Sequence, residues 1–389
     1  MKTIAVVGAG IAGITAAYYL ARKGHQVTVF ERERYAAMKT SYANGGQISV
    51  SNSEVWTTWS NVKKGIKWMF QKDAPLLIRP TFEWRKLQWM ASFLKYTLKM
   101  DYARNTAETI RLGLESRQLL KQIAEEEGIN FDQSFCGILH FYKDQQYFNA
   151  AAEVQELYQA NGCEWDLVTK SAIKDIEPAL KLENVLGGAW TPGDWTGDIH
   201  QFCQRLGEAM REKYDVRFVY GSSIDDVNEL GDFDRIVIAN GVDAYHLAKT
   251  AGDTLPIYPV KGYSITIELD ESSAEHAPAV SLLDDQAKIV TARLGNRFRV
   301  AGTAELCGEN WDIRRDRIEP LLKWVHKNFP GINTSKYSSW ACLRPMTPNM
   351  LPIVGQSKNN SRVYYHVGHG HLGWTLSAAT AKKLSDEIR

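Results

Sequence analysis

The first 31 residues contain a glycine-rich turn between two short apolar segments, and this feature limits the possible folds more than any other. Residues 4–7 form an apolar run of the kind found in strands that are buried on both faces. Residues 8–13 follow with the pattern G-x-G-x-x-G, a helical pattern occupies residues 14–21, and a second apolar run, 27–30, leads to Glu31. This order of strand, turn, helix and strand predicts a βαβ dinucleotide-binding unit.

The spacing of the glycines and of the acidic residue matches what a bound dinucleotide requires. Gly8 permits a tight turn, Gly10 lets the backbone approach a pyrophosphate, and Gly13 allows helix and strand to pack closely. The N-terminus of the helix offers free N–H groups and a partial positive charge. Glu31, 18 residues after Gly13, can accept hydrogen bonds from both ribose hydroxyls and would repel a 2′-phosphate. The motif therefore disfavours NADP but leaves NAD and FAD open.

The bulk composition excludes several classes of protein. A chain of 389 residues with 44% hydrophobic content can form about two to three domain-sized units. Its net charge of +1 creates no long-range attraction to nucleic acid, and no nucleic-acid partner is predicted. The five cysteines are scattered without a C-x-x-C pair, which argues against a disulfide framework and predicts no metal site. No signal peptide or membrane-spanning segment is visible, so the sequence predicts a cytoplasmic protein or one peripheral to a membrane.

Three further segments narrow the choice of dinucleotide. Residues 40–49 form a small, polar, glycine-bearing loop where a nicotinamide enzyme would continue into another helix and strand. Near the other end, L-R-P-M-T-P at residues 343–348 is followed by a predicted strand at 363–367. The glycine-rich residues 368–375 then lead into a final helix that ends near Ile388. This turn predicts a second helix N-terminus that favours anions.

Together these segments resemble the D-amino-acid oxidase superfamily of flavoproteins, and most closely its bacterial D-amino acid dehydrogenases. The loop at 40–49, Y-P-V-K-G-Y-S at 258–264, L-R-P-M-T-P and G-H-G-x-L-G-W carry the resemblance, in the same order over nearly the whole chain. The resemblance implies FAD as cofactor and an α/β fold: a discontinuous Rossmann-like FAD-binding domain and an α+β substrate-binding domain built on an antiparallel or mixed sheet. We place the first at residues 1–54, 191–260 and 340–389, and the second at 55–190 and 261–339.

The predicted FAD-binding residues follow these motifs, with a strand at residues 235–241 as the family's second flavin contact. They are Gly8, Ala9, Gly10, Ile11, Ala12, Gly13, Glu31, Arg32, Thr40, Ser41, Asn44, Gly45, Gly46, Gln47, Ile48, Ala239, Asn240, Gly241, Arg344, Gly370, His371, Leu372, Gly373, Trp374 and Thr375.

The resemblance also implies the reaction, oxidative deamination of a D-amino acid by hydride transfer from Cα to the flavin N5. Arg344 is the predicted carboxylate ligand, because a guanidinium matches a carboxylate through two parallel hydrogen bonds. Tyr258, Lys261 and Tyr263 are predicted to line the same pocket. Gln47 either binds the substrate amino group or braces its loop, and the sequence leaves both readings open.

Two other residue types near the C-terminal motif need an interpretation. His369 is expected to shape the turn near the flavin, while His371 departs from the usual pattern and receives no catalytic role. Cys342 lies two residues before Arg344, where monomeric sarcosine oxidases carry a cysteine that holds the flavin covalently. The dehydrogenases normally have none there, so a small buried cysteine is the favoured interpretation and a covalent flavin the alternative.

Residues 60–104 predict a possible membrane contact. They contain ten Lys or Arg against three Asp or Glu, together with three tryptophans, and two more tryptophans lie just before them. Basic residues mixed with interfacial aromatics suit an anionic lipid surface. A solvated helical face with buried tryptophans is the alternative. The resemblance favours the membrane, because these dehydrogenases pass electrons to a quinone or another acceptor of the respiratory chain at the cytoplasmic face of the inner membrane.

Rival functions remain open at this point. An oxidase of the same fold would pass electrons from glycine, sarcosine, proline or hydroxyproline to O₂. A flavoprotein that modifies tRNA or acts as a non-catalytic partner is disfavoured by the near-neutral charge and by the intact Arg344. The sequence does not identify the side chain of the substrate.

Overall fold

A computed structural model describes residues 1–68, 75–79 and 82–388. Within them, the strands are Thr3–Val7 (β1), Gln26–Glu31 (β2), Gln47–Ile48 (β3), Leu76–Ile78 (β4), Ile138–Tyr142 (β5), Asp166–Thr169 (β6), Gly187–Thr191 (β7), Trp195–Thr196 (β8), Arg217–Tyr220 (β9), Arg235–Ile238 (β10), Tyr258–Glu268 (β11), Ser281–Asp284 (β12), Ile289–Leu294 (β13), Arg297–Leu306 (β14), Tyr337–Met346 (β15), Ile353–Gln356 (β16) and Val363–Val367 (β17). The α-helices are Ile11–Arg22 (α1), Trp59–Trp68 (α2), Trp84–Leu98 (α3), Tyr102–Glu127 (α4), Gln145–Ala160 (α5), Lys170–Ile176 (α6), Ile199–Tyr214 (α7), Ala244–Thr250 (α8), Glu271–Ala274 (α9), Arg315–Asn328 (α10) and Gly373–Glu387 (α11). Short 3₁₀ turns occupy Val50–Asn52, Val227–Leu230, Gly241–Asp243 and Gly370–Leu372.

A six-stranded sheet in the order β16-β17-β10-β1-β2-β9 contains the predicted βαβ unit. All its strand pairs are parallel except β16 with β17. Side chains of β1 alternate between two cores, because Ile4 and Val6 pack with α1, α7 and α11 while Ala5 and Val7 pack with α8. Helices therefore cover both faces, as a buried parallel sheet requires.

A second, nine-stranded sheet has the order β15-β11-β14-β13-β12-β5-β7-β6, with β4 added beside β14. It is mixed, since β12 pairs with β5 and β14 with β4 in parallel while the other pairs are antiparallel. Helix α10 packs on one of its faces through Leu321, Trp324 and Val325. The two sheets confirm the predicted fold class, a Rossmann-like unit beside an α+β unit built on a mixed sheet.

The strand bounds bear on where the two units would be divided. The predicted bounds at residues 260 and 340 fall inside β11 and β15, which pair with each other along ten residue positions. Both strands belong entirely to the nine-stranded sheet. The division into domains remains a prediction, and these strands would place its bounds before Tyr258 and after Met346.

Two buried histidines join the ends of the chain behind the βαβ unit. His366 on β17 has Nδ1 2.9 Å from the Ala12 carbonyl oxygen and Nε2 2.8 Å from Thr380 Oγ1 on α11. Because a carbonyl only accepts, His366 Nδ1 carries the proton and Nε2 accepts from Thr380. His369 Nε2 lies 3.0 Å from the same hydroxyl oxygen and donates to it. Burial disfavours the charged form of both rings, so the network that ties α1 to α11 consists of neutral imidazoles.

We expect this network to make the protein sensitive to mild acid. Burial lowers the pKa of His366 from 6.5 to about 4. The unfolded chain therefore takes up the proton first, and the stabilisation is complete above about pH 6.5 and is lost as the pH falls towards 4. His366 alone contributes about 3 kcal/mol to this loss of stability. Denaturant unfolding at pH 7 and pH 5 measures it, and His366→Asn should show a smaller pH dependence. Equal pH dependence in both proteins would contradict this assignment.

Candidate active site

Four of the predicted cofactor segments meet at one edge of the six-stranded sheet. β1, β2, β10 and β17 run parallel, and their carboxyl ends lead to Gly8, Glu31, Ala239 and Gly368. Ligands of open α/β sheets bind at this edge, outside the carboxyl ends of the strands. The sequence motifs that are far apart along the chain are thus brought together by the order of the strands.

The glycine motif is packed too closely for larger residues. A Cβ on Gly13 would lie 1.8 Å from the Gly8 carbonyl oxygen, and one on Gly8 would lie 2.8 Å from Asn240 Cα. Gly8 also has φ +101°, which favours glycine. Helix α1 begins after Gly10, which has no side chain to cap it, and its first turn has no acidic residue. Ser41 Oγ accepts from the Ile11 N–H, and the positive end of the helix remains unneutralised by any carboxylate in its first turn.

The acidic residue at the end of β2 adopts the position that the motif predicts. Glu31 Oε2 accepts a hydrogen bond from the Ala9 N–H at 2.7 Å, and Oε1 accepts one from the Glu33 N–H at 3.0 Å. Its carboxylate is therefore held at the glycine turn. The neighbouring Arg32 is paired with Asp243, with 2.8 Å between Nη2 and Oδ2. The Glu31 carboxylate and the ion pair of Arg32 with Asp243 would border the ribose of a dinucleotide.

The loop at residues 40–49 connects the two sheets. Ser41 Oγ accepts from the Ile11 N–H at the start of α1, and Thr40 Oγ1 donates to the Leu343 carbonyl on β15. The loop also reaches β11, where Ser264 Oγ donates to the Ala43 carbonyl. Asn44 Oδ1 closes a turn with the Gly46 N–H at 2.9 Å. The loop is thus fixed between the glycine motif and the face of the large sheet.

Gln47 braces this loop. Its amide nitrogen lies 2.7 Å from Ser281 Oγ and 3.3 Å from the carbonyl oxygens of Leu282 and Thr291. Beside it, β3 pairs with β8 through Ile48 and Trp195. Of the two readings that the sequence leaves open, these contacts favour the bracing role.

The C-terminal turn forms the other side of the edge. Gly370 has φ +59°, and a Cβ there would lie 2.7 Å from Met346 Sδ. The turn joins β15 through a bridge between Met346 and His369. Thr375 Oγ1, in the first turn of α11, accepts from the Ser49 N–H at 3.2 Å. Like α1, helix α11 has no side-chain cap and no acidic residue in its first turn.

Arg344 lies on the face of the large sheet that carries Gly262 and Cys342. Its guanidinium covers Gly262, where a Cβ would lie 2.2 Å from Nη2. Ser264 on this face contacts the 40–49 loop, so the face is turned towards the cofactor edge. Within the described part of the chain, the half-buried guanidinium has no hydrogen bond or ion pair. A half-buried guanidinium without a protein partner can bind an anion such as a carboxylate through charge-assisted hydrogen bonds.

Three residues were predicted to line the same pocket as Arg344, but the structure does not bring all of them to that face. Lys261 and Tyr263 project from the opposite face of β11, because side chains alternate along a strand. There Lys261 Nζ donates to Asn310 Oδ1 at 2.6 Å, and Tyr263 donates to Glu305 Oε2 at 2.7 Å. Tyr258 shares the face of Arg344, but its hydroxyl donates to Glu83 at 2.8 Å and accepts from the Gly308 N–H. The structure therefore separates Lys261 and Tyr263 from Arg344.

Sequence reasoning gave no catalytic role to three titratable residues in this region, which are His371, counted only among the FAD-binding residues, Glu54 and Lys288. His371, in the turn Gly370–Leu372, stacks on Trp56 with 4.8 Å between ring centroids. Burial, with smaller contributions from the Arg344 and Lys288 cations, lowers the pKa of His371 to about 4. Glu54 lies nearby, and burial raises the pKa of its carboxyl. No local pattern signals these neighbours, because they come from three distant segments of the chain.

The comparisons with known proteins agree with this geometry. The profile of the DAO family, described as FAD-dependent oxidoreductase, matches residues 3–387. The chain belongs to the DAO family of FAD-dependent oxidoreductases. It is 48% identical to D-amino acid dehydrogenase 3 of Mesorhizobium japonicum, over 100% of this chain and 97% of that protein. It is 36% identical to a D-amino acid dehydrogenase of Agrobacterium fabrum, over 99% and 95% of the two chains.

A solved structure adds the fold of a more distant relative. Glycine oxidase from Bacillus cereus superimposes with a TM-score of 0.75 at 17% identity, over 100% of this chain and 95% of the oxidase. At this identity the likeness concerns the fold alone. It covers 100% of this chain, so that oxidase shares the fold that places the nucleotide edge opposite the large sheet.

The residues present fit the FAD of this family. The cradle of Gly8 and Gly13 has no room for side chains, and the N-terminus of α1, with no acidic residue in its first turn, suits a pyrophosphate. Two buried polar atoms, Asn240 Oδ1 and Trp374 Nε1, have no partner within the described residues. Both belong to predicted cofactor segments. The polar groups of a bound cofactor can supply the hydrogen-bond partners that this acceptor and this donor lack.

Cys342 bears on how a DAO-family flavin is held. It lies opposite Gly262 on the face of Arg344, and burial raises the pKa of its thiol. Because the thiolate is the reactive form, this environment disfavours a covalent bond to the flavin. We expect acid precipitation to leave a colourless pellet and all of the FAD in the supernatant. A yellow pellet that becomes colourless on Cys342→Ser would contradict this expectation.

Among the described residues, no helix combines the length and the apolarity needed to cross a bilayer.

Proposed function

We propose that this enzyme oxidises D-amino acids to 2-oxo acids and ammonia, as the name of its relatives in Mesorhizobium japonicum and Agrobacterium fabrum suggests. When bound, FAD supplies the hydride acceptor for the Cα–H of the substrate. The observation that carries the proposal is the guanidinium of Arg344, which has no partner among the described residues and lies on the face of the large sheet that is turned towards the nucleotide edge.

The chain's own residues have three tasks in this reaction. Arg344 binds the carboxylate and so fixes one end of a small amino acid. The loop at residues 40–49, braced by Gln47, holds the cofactor edge at a constant distance from the sheet that carries Arg344. Gly262 keeps the space above the strand open for the guanidinium. Orientation of this kind is the protein's main contribution when a cofactor supplies the chemistry. Lys261 and Tyr263 have no part in the proposal.

An anaerobic screen of D- and L-amino acids tests the proposal. We expect D-amino acids to bleach the flavin absorbance and their L-enantiomers to leave it unchanged. Reoxidation of the bleached enzyme is then followed with O₂ and with a short-chain quinone, and we expect the quinone to react faster. Bleaching by glycine, sarcosine or proline with rapid reoxidation by O₂ would instead identify an oxidase. Failure of every amino acid to bleach the flavin would exclude the proposed reaction.

We further propose that the enzyme delivers its electrons to a quinone at the cytoplasmic face of the inner membrane, to which α3 binds. Residues 69–74, 80 and 81 of the predicted contact segment lie outside the described residues. On α3, five exposed apolar residues recur at helical spacing and form what we call the α3 stripe. They are Trp84, Leu87, Ala91, Leu94 and Leu98. Trp84 is 65% and Leu98 66% exposed, and the exposed Lys95 and Lys99 flank the stripe. Such a helix face suits the surface of an anionic bilayer.

The opposite side of α3 contacts the active-site strands. Trp89 Nε1 donates to the Met346 carbonyl on β15 at 2.8 Å, and Arg85 Nε donates to the Ile257 carbonyl just before β11. The alternative of buried tryptophans holds only in part, since Trp56 and Trp89 are partly buried against the core while Trp59 and Trp84 are exposed. A membrane bound through the α3 stripe would therefore lie beside the strands that carry the site.

Sedimentation with vesicles tests the membrane contact. We expect the holoenzyme to bind phosphatidylglycerol vesicles and to bind phosphatidylcholine vesicles much more weakly. Leu94→Glu with Leu98→Glu should abolish binding without changing the rate with a water-soluble dye. Leu186→Glu, at another exposed leucine, is the matched control. Equal sedimentation of the double variant and the wild type would exclude the α3 stripe as the contact.

A further inference from the structure

The side chain of His371 has a defined tautomer. Its Nε2 lies 3.3 Å from the carbonyl oxygen of Asn52, which can only accept a hydrogen bond. The ring is neutral, so the proton is on Nε2 and the lone pair is on Nδ1. Stacking on Trp56, with 22° between the ring planes, fixes the orientation of the imidazole. His371 therefore presents an acceptor atom in a fixed direction.

This acceptor has no partner within the described part of the chain. Nδ1 of His371 is shielded from solvent and makes no hydrogen bond. A buried acceptor left in this way costs about 1–3 kcal/mol, so its retention needs an explanation. Burial is the main cause that keeps the ring unprotonated, and the Arg344 and Lys288 cations lower its pKa further.

The position of the turn brings this acceptor towards the carboxylate ligand. Met346, two residues after Arg344 on the same face of β15, contacts Gly370, the residue before His371. The side chains of Arg344 and His371 also interact electrostatically. A molecule bound here meets a guanidinium donor from β15 and an imidazole acceptor from the turn before α11.

We propose that His371 Nδ1 accepts a hydrogen bond from the amino nitrogen of the substrate whose carboxylate pairs with Arg344. The inference rests on the proposed function. An α-amino acid carries an acid and an N–H donor on one carbon, and a guanidinium next to an acceptor complements that pair. Because the pKa of about 4 keeps the imidazole neutral, His371 orients the amine and does not store its proton. The pair thereby favours an amine over a plain carboxylate, which has no donor on that carbon and leaves the acceptor unsatisfied.

Two substitutions distinguish the effect of the Nδ1 acceptor from the effect of the stacked ring of His371. His371→Phe keeps an aromatic ring to stack on Trp56 and removes the acceptor. His371→Asn can place an amide oxygen near the position of Nδ1. Each holoenzyme is measured by anaerobic stopped-flow reduction with the best D-amino acid, by spectral titration with the corresponding 2-oxo acid, and by the absorbance and reduction potential of its FAD.

We expect His371→Phe to reduce the second-order rate of flavin reduction about 100-fold, and His371→Asn to recover at least about tenfold of that loss. The affinity for the 2-oxo acid, which has no amine, should change less than about twofold. Retention of the wild-type reduction rate by His371→Phe would overturn the inference. So would equal losses for amino acid and 2-oxo acid, or a change confined to the spectrum and potential of the flavin, which would identify the cofactor as the partner of Nδ1.

Failure of the proposed function gives a different result. In that case no amino acid bleaches the wild-type flavin, before any variant is compared, and the inference about His371 fails with it. A wild-type enzyme that is bleached normally, together with an unaffected His371→Phe, overturns the inference about His371 alone.

Discussion

Replacing Arg344 with methionine is expected to lower kcat/KM for a D-amino acid by about three orders of magnitude while FAD stays bound. Methionine fills a similar space but cannot form the two hydrogen bonds to a carboxylate. Since Arg344 has no partner within the described chain, its removal leaves no protein group unpaired, and the fold should tolerate the change. Steady-state rates, FAD content and thermal unfolding of the purified variant measure the three effects.

A second variant tests Arg344 without changing it. A Cβ at position 262 would lie 2.2 Å from Nη2 and 2.4 Å from Cζ of Arg344, so Gly262→Ala must displace the flexible guanidinium. We expect a loss in kcat/KM of about 10- to 100-fold with a near-normal melting temperature. Gly231→Ala is the matched control, because a Cβ there meets nothing closer than 3.6 Å. Wild-type kinetics in both Arg344→Met and Gly262→Ala would remove Arg344 from the site.

Replacing Gly13 with valine is expected to abolish FAD binding and to lower the free energy of unfolding by about 4 kcal/mol or more. Even the Cβ would lie 1.8 Å from the Gly8 carbonyl oxygen, a backbone atom that cannot turn away. Helix α1 must then move off β1, and the N–H groups at its start lose their place at the sheet edge. The ratio of flavin absorbance to protein absorbance, and denaturant unfolding, measure the two losses.

A helical glycine in the neighbouring α7 provides the control. A Cβ on Gly207 would lie 3.5 Å from the ring of Phe218, which is ordinary contact, so Gly207→Ala should bind FAD and unfold like the wild type. A Gly13→Val protein with full FAD content would mean that α1 can shift without loss of the cofactor site. That result would contradict the close packing on which the motif depends.

The predicted cofactor segments followed from the sequence because each is a local pattern at the end of a strand. The turn at Gly8 and the acid at Glu31 need only a strand before them and a parallel order of strands. The side-chain directions on β11 were harder to foresee. The stretch from Tyr258 to Ser264 matches the family as a block, yet a strand turns alternate residues to opposite faces. About half of the side chains in such a matching stretch must therefore face away from the site, as Lys261 and Tyr263 do.

The surroundings of His371 could not be predicted in the same way. Its neighbours Asn52, Trp56 and Lys288 come from segments that lie hundreds of residues away or in the insertions between the motifs. No periodicity relates such positions, because their contact depends on how the two sheets face each other. Only the departure of His371 from the usual turn pattern marked it in the sequence, and that departure alone indicated no role.

The order of strands in the six-stranded sheet has a consequence for synthesis on the ribosome. β1, β2, β9 and β10 have all been translated by residue 238, whereas β17 and α11 come from the last 27 residues, beginning at residue 363. The nascent chain can therefore assemble the glycine turn early. It cannot complete the side of the cofactor edge formed by β17 and α11 until translation has almost ended. A polypeptide that terminates prematurely exposes the apolar side of α1 that α11 would cover.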